Sequence, residues 1–194
     1  MRVRMLGGGI SAAAALLVFV LPGQAQQGGL SSFKNYLAPF VSTPDQAVDR
    51  MLQMADPKPG ETLYDLGCGD GRIIIAAAKR YQVKAVGIEI SARLAAEAAA
   101  NVKRVGLQKL VKVIHGDFMK ANLSGANIVT LYLATSANSL LRPKLQRYLK
   151  PKSRVVSYDY PIPGWKPVDT SETEGHHGAT HTIYLYDIPQ SYTK

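Results

Sequence analysis

Asp65-Leu66-Gly67-Cys68-Gly69-Asp70-Gly71 joins a short apolar run, Thr62 to Leu66, to a helical pattern opening at Arg72. Three glycines in five residues admit positive φ and clear side chains away from the backbone. A helix starting there aims its unpaired N–H groups at whatever lies above the turn. The carboxylate of Asp65, on the strand entering the loop, would repel a phosphate but attract a cationic head group. Glu89 closes the next strand-like run, eighteen residues past Gly71. An acid at that place can accept from both hydroxyls of a ribose, as in dinucleotide-binding folds. Asp117, in His115-Gly116-Asp117-Phe118, can accept from a ring amino group while Phe118 or nearby backbone borders the ring. Asp117 alone fits an ordinary surface turn equally well. The spacing G-x-G-x-G is not the dinucleotide G-x-G-x-x-G, and a glycine turn by itself can be purely structural. The order of glycine loop, strand-ending Glu and strand-following Asp is more telling, because each would hold one part of a single nucleoside ligand with a positive charge.

The surrounding pattern supplies elements to position these groups. Thr43-Pro44-Asp45 reads as N-cap, proline at the first helical position and acid in the first turn. Ala47, Val48, Met51, Leu52 and Ala55 follow at helical spacing, and Asp56-Pro57-Lys58-Pro59-Gly60 stops that helix. Strands are expected over 62–66, 85–90, 110–115, 128–133 and 154–160, with terminal strands through 180–187 after a Pro/Gly-rich loop. Helices are expected over 72–81, from Ser91 as cap to about Val105, and over 137–149, where Pro143 must sit in the first turns or kink the helix. Alternation of this kind predicts a parallel sheet with helices on both faces.

The string Asp65-Leu66-Gly67-Cys68-Gly69-Asp70-Gly71-Arg72 is similar to the first motif of class I S-adenosylmethionine-dependent methyltransferases. Within them the chain resembles the protein-lysine methyltransferase group that includes the ATP-synthase c-subunit enzyme and its archaeal relatives. That resemblance rests on Ser42-Thr43-Pro44, Tyr64 to Ile73, Val86-Gly87-Ile88-Glu89, Gly116-Asp117-Phe118, and Tyr132-Leu133 followed by Leu141-Arg142-Pro143-Lys144-Leu145. It implies an α/β fold: a Rossmann-like, doubly wound, mostly parallel seven-stranded sheet with helices on both faces. It implies S-adenosyl-L-methionine as cofactor, with Asp65, Gly67, Gly69, Gly71, Glu89, Asp117 and Phe118 around it. It also implies a protein substrate with an accessible lysine; a small molecule or lipid as substrate, or a domain that binds the cofactor without turnover, is the alternative. Tyr132-Leu133-Ala134-Thr135 stands where methyltransferases of nucleic-acid bases carry Asn-Pro-Pro-Tyr, which argues against a nucleic-acid substrate.

A lysine substrate begins protonated, so apolar or aromatic walls must favour its neutral form. Tyr132, at the end of the fourth strand, is the first candidate to touch the amine; a packed core tyrosine is the plain alternative. Asp159 could attract the ammonium, and Tyr160 and Trp165 could wall its channel, although ordinary aromatic packing accounts for each singly. No general base stands out. His176, His177 and His181 lack a matched Cys or acidic partner at fixed spacing, so no metal site is expected. Cys68 reads as a small space-filler.

At 194 residues, 46% of them apolar, the chain suits one globular domain rather than a disordered segment. Its formal charge of +9 is spread along the chain, which fits a solvated basic surface and selects no partner. A single cysteine excludes an internal disulfide. Residues 1–25 combine Arg2 and Arg4, the apolar run Leu6 to Leu21, and Pro22 to Ala25, the layout of a signal peptide cleaved after Ala25 or of a membrane anchor. Residues 26–41 read as linker and N-terminal segment, and 42–194 as the methyltransferase domain, expected to be a monomer. The domain is expected to be exported or membrane-anchored, or cytoplasmic if the start codon is mis-assigned. A signal sequence and a cofactor made in the cytoplasm stand in conflict.

Overall fold

The computed structural model describes residues 41–175 and 178–192. The signal-like segment and most of the linker therefore lie outside the described residues, as do His176 and His177. Among the described residues no helix is long and apolar enough to cross a membrane.

The chain runs α1 (Asp45–Ala55), β1 (Thr62–Leu66), α2 (Arg72–Tyr81), β2 (Lys84–Glu89), α3 (Ala92–Arg104) and β3 (Val111–His115). A 3-10 turn (Phe118–Lys120), β4 (Ile128–Leu131), α4 (Thr135–Tyr148), β5 (Arg154–Tyr158), β6 (Asp169–Glu174) and β7 (Thr180–Asp187) follow. The strands form one seven-stranded sheet in the order β3-β2-β1-β4-β5-β7-β6. Neighbours from β3 to β5 are parallel, and β7 is antiparallel to both β5 and β6. The expected doubly wound sheet is thus the architecture observed.

Side chains alternate across the pleat, so consecutive strand residues feed opposite cores. Leu63, Ala85, Ile128, Val156 and Ile183 join buried residues of α1, α2 and α3 on one face. Leu66, Ile88, Val129, Val155 and Tyr186 join Ala137, Leu141 and Leu145 of α4 on the other. Helices on both faces explain why the inner parallel strands β1, β2, β4 and β5 are largely buried.

Several boundaries differ from the sequence expectation, each for a local reason. Pro44 has ψ 146°, so α1 begins one residue later, and Thr43 is not its side-chain cap. Pro143 is the ninth residue of α4, beyond the first turns, because the helix opens already at Thr135. Strand β4 ends at Leu131 and β5 at Tyr158. Tyr132, Leu133, Asp159 and Tyr160 are therefore loop residues at the sheet's carboxyl edge. Asp56 closes α1 in the left-handed conformation, φ 45°, with its N–H donating to Leu52 O.

Candidate active site

Strand order reverses between β1 and β4, and in open α/β sheets ligands bind outside the carboxyl ends of strands at such a point. A cleft open to solvent lies there. Its walls include Asp65, Gly67, Gly69, Glu89, Phe118 and Tyr132.

The loop after β1 is built by its glycines. Gly67, Gly69 and Gly71 all have positive φ (82°, 53° and 84°), which only glycine adopts without strain. Gly67 and Cys68 donate their N–H groups to Ile88 O at 2.8 and 3.1 Å, which staples the loop to β2. Gly71 does not line the cleft. A Cβ there would press on Ala98 Cβ at 3.2 Å, so this glycine brings α2 close to α3.

Two acids face the cleft from strand ends. Glu89 is buried and accepts from Gly69 N at 2.9 Å and Ser91 N at 2.8 Å, one bond on each carboxylate oxygen. Each oxygen keeps a second lone pair, so the carboxylate can still receive two hydroxyls. Asp65 is also buried, and Thr130 Oγ1 donates to its Oδ1 at 2.7 Å. Burial raises the Asp65 pKa, the Thr130 bond opposes this, and the charges of Glu89 and Asp70 add to it, leaving a value of about 7. A positive ligand placed beside this carboxyl would restore the ionised form. The nearby cation is already committed: Arg72 grips Asp70 through Nη2 at 2.6 Å and Nε at 3.1 Å, and holds Thr43 O at 2.8 Å through Nη1. Burial acts to raise the Asp70 pKa, but the bonds and charge of Arg72 prevail and hold it below the usual range. Open backbone at Gly67 and Gly69, a ribose-competent Glu89 and a cation-seeking Asp65 fit the parts of S-adenosylmethionine.

The remaining expected groups divide. Phe118 is in the cleft wall, buried at its end. Asp117 does not line the cleft; its Oδ1 caps the 3-10 turn by accepting from Met119 N at 2.8 Å. Tyr132 lines the cleft and meets the ring of Tyr158 edge-on, centroids 4.7 Å apart, and that of Tyr160 in a stack at 6.3 Å. Asp159 does not line the cleft; it lies beyond Tyr132, where its charge, after burial, helps raise the Tyr132 pKa. Trp165 belongs elsewhere: it is buried against Tyr186 and Tyr192, centroids 5.6 and 5.1 Å away, so the expectation that it walls a lysine channel is corrected. Cys68 is buried and its pKa is pushed upward, chiefly by burial, which fits filler rather than nucleophile.

Some site residues are not read from the sequence as part of the cleft. Thr130 matters only because the register sets it opposite Asp65. Val41, Ser42 and Thr43 line the cleft from a segment that reads as linker and cap. Asn138 of α4 is buried, with Nδ2 donating to Tyr160 O at 3.0 Å, and so ties the post-β5 turn to the helix.

The chain is similar to several known proteins. The ANTKMT methyltransferase domain model matches residues 65–169, more than half of the chain. A protein-lysine N-methyltransferase of Saccharolobus islandicus (strain REY15A) is 44% identical over 151 residues, covering 77% of this chain and 93% of that protein. The adenine nucleotide translocase lysine N-methyltransferase of Mus musculus is 34% identical over 150 residues, covering 77% and 63%. The chain thus spans less than two thirds of the mouse protein. A crystal structure described as an RNA methyltransferase from Salinibacter ruber, in complex with S-adenosyl-L-homocysteine, has 43% identity and a TM-score of 0.74, covering 79% of this chain and 97% of that one. With the glycine loop, the paired acids and the switch-point cleft, these matches place the chain in the ANTKMT methyltransferase domain family, as an S-adenosylmethionine-dependent methyltransferase.

Proposed function

We propose that the chain N-methylates lysine side chains of a protein. The observation that carries this reading is the position of Tyr132, whose ring is both a wall of the cofactor cleft and the edge of an aromatic group with Tyr158 and Tyr160. A long aliphatic amine can approach along such walls, where aromatic faces favour a cation and low polarity favours its neutral form. The names of the archaeal and mouse relatives point the same way.

S-adenosylmethionine, when bound, supplies a methyl group on a good leaving atom, so the step is an in-line displacement. The chain's own work is alignment and exclusion of water. Asp65 and Glu89 hold the cofactor's polar ends, and Gly67 and Gly69 let the backbone approach it. Tyr132 walls the reacting end, and Asp159 draws in the ammonium.

An RNA substrate is the second reading, favoured by the description of the Salinibacter ruber structure. The test is transfer of labelled methyl from S-adenosylmethionine to a cell extract. Label that survives ribonuclease and appears as methyllysine after acid hydrolysis is expected. Label removed by ribonuclease, or partitioning with lipid, would overturn the lysine reading. We further propose that residues 1–25 direct the domain to a membrane or across it, supported by the basic, apolar and small-residue layout of that segment. A fused alkaline phosphatase, active only outside the cytoplasm, tests the side; silence there together with a soluble product would refute it.

A further inference from the structure

One charge pair lies at the aromatic edge, Asp159 with His181. Asp159 leaves β5 with φ 67°, a left-handed conformation that non-glycine residues adopt rarely and that clusters at functional sites. Its N–H donates to Thr182 O at 2.7 Å, which fixes the turn to β7. The turn brings Asp159 Oδ1 to 2.9 Å from Nδ1 of His181, ion-pair distance although not aligned as a hydrogen bond. His181 stacks on Tyr158, ring centroids 5.4 Å apart, and Tyr158 in turn meets Tyr132 of the cleft wall. The hydroxyl of Tyr158 is buried there without a hydrogen-bond partner among the described residues. On the opposite side the Gly175 turn closes so tightly that a Cβ would overlap the His181 ring. The imidazole nevertheless keeps 18% of its side-chain surface exposed.

The groups around His181 are mostly acidic or phenolic. Asp159 and Tyr158 face it from β5 and its turn. On β6, Thr173 is its ladder partner, flanked by the exposed Glu172 and Glu174. Arg50 of α1 reaches β6 farther along, at Ser171 Oγ.

A lysine ammonium must lose a proton before it can act, since at its ordinary pKa only about one in a few thousand is neutral at pH 7. We propose that Asp159 accepts this proton from the substrate ammonium and passes it to His181, which releases it to solvent. The inference rests on the lysine reading above. The ammonium N–H bond breaks, its electron pair stays on nitrogen, and the proton joins a carboxylate oxygen and then the imidazole. The imidazolium returns a proton to water. The freed pair forms the new N–C bond as the C–S bond breaks, its electrons remaining on sulfur. Asp159 is thus a catalytic residue, and His181 a positioning residue that acts through it.

The experiment compares wild type with His181→Gln and Asp159→Asn across pH 7 to 10, reading the initial rate of methyllysine formation in cell-extract protein. Binding of S-adenosylhomocysteine, by calorimetry, checks that each variant is folded. Because solution pH supplies neutral amine in place of the relay, both variants should be slowed about tenfold or more at pH 7 and approach wild type at pH 10. Cofactor affinity should stay within about twofold, since neither residue lines the cleft. A deficit equal at every pH, or none, in a variant that still binds overturns the relay alone. Should His181→Gln fail to bind, Asp159→Asn decides by the same criterion. Failure of both to bind makes the pair structural and also overturns the proposal. No methyllysine from wild type refutes the lysine reading and this inference with it.

Discussion

The hydroxyl of Thr130 on β4 donates a 2.7 Å hydrogen bond to the carboxylate of Asp65 on β1, directly opposite in the parallel register. That bond favours the ionised acid against burial and the charges of Glu89 and Asp70, which drive its pKa up to about 7. A raised carboxyl pKa favours folding fully below the ordinary value near 3.8, and the contribution is lost as pH rises through 7. A rise from 3.8 to about 7 sets a ceiling of about 4 kcal/mol on this loss. Urea unfolding of the ligand-free protein should therefore show wild type losing more stability than Asp65→Asn between pH 5 and pH 8. Equal losses would mean that Asp65 is not perturbed.

Cofactor binding should respond in the opposite sense. A cationic ligand favours the ionised carboxylate, so affinity for S-adenosylmethionine should rise between pH 6 and pH 8, with proton release measurable in buffers of different ionisation enthalpy. Thr130→Val removes the bond that helps ionise Asp65. Calorimetry at pH 7 should find binding weaker by about tenfold, the scale of one hydrogen bond to a charged group. An unchanged affinity would assign the threonine to packing alone.

Glu89 has two duties, because its oxygens brace Gly69 N and Ser91 N while facing the cleft. Glu89→Ala removes both, and should weaken S-adenosylmethionine binding by about a hundredfold or more, given charge-assisted bonds on both oxygens. Glu89→Gln keeps the shape but offers one acceptor, and should fall between. Affinity for Glu89→Ala equal to wild type would refute the ribose assignment.

Much of this site is legible in the sequence because glycine and acid placement at strand ends is a local signal. Thr62–Leu66 and Arg72–Tyr81 appear at the residues the pattern indicates, and the cleft gathers Asp65, Gly67, Gly69, Glu89, Phe118 and Tyr132. What stays hidden depends on register and on which strand lies beside which. Thr130 is an ordinary polar residue in an apolar strand until β4 pairs with β1. His181 lies twenty-two positions from Asp159 and meets it only because β7 returns antiparallel to β5. Trp165 escapes a sequence reading because nearness to Tyr160 along the chain does not decide which face of the sheet a loop covers; it joins the α4 side, and Tyr158 the other.

Gly87 illustrates the same point from β2. A Cβ at this position would stand 2.6 Å from Cys68 Sγ and 2.7 Å from Ile74 Cδ1, so the strand needs glycine for the cofactor loop to pack against it. Gly87→Ala should cost about 1–3 kcal/mol of stability, the usual scale of overpacking, measured by chemical denaturation. Adding Cys68→Ala removes the closest atom and should recover part of the loss. A fully additive double variant would show that the two residues do not press on one another.

The turn that carries Asp159 and Tyr160 hangs from Asn138. Its Nδ2 donates to Tyr160 O at 3.0 Å and lies 3.3 Å from Ser157 Oγ, which itself donates to Tyr160 O at 2.5 Å. One carbonyl thus receives two bonds, one from α4 and one from β5, in a buried place where losing either is costly. Asn138→Ala should lower stability by about 1–3 kcal/mol. More specifically, it should leave S-adenosylhomocysteine binding within about twofold while slowing methyl transfer, because the amide holds the substrate side of the site and not the cofactor loop. Loss of cofactor binding in a folded Asn138→Ala protein would contradict that division of the cleft into two independently held halves.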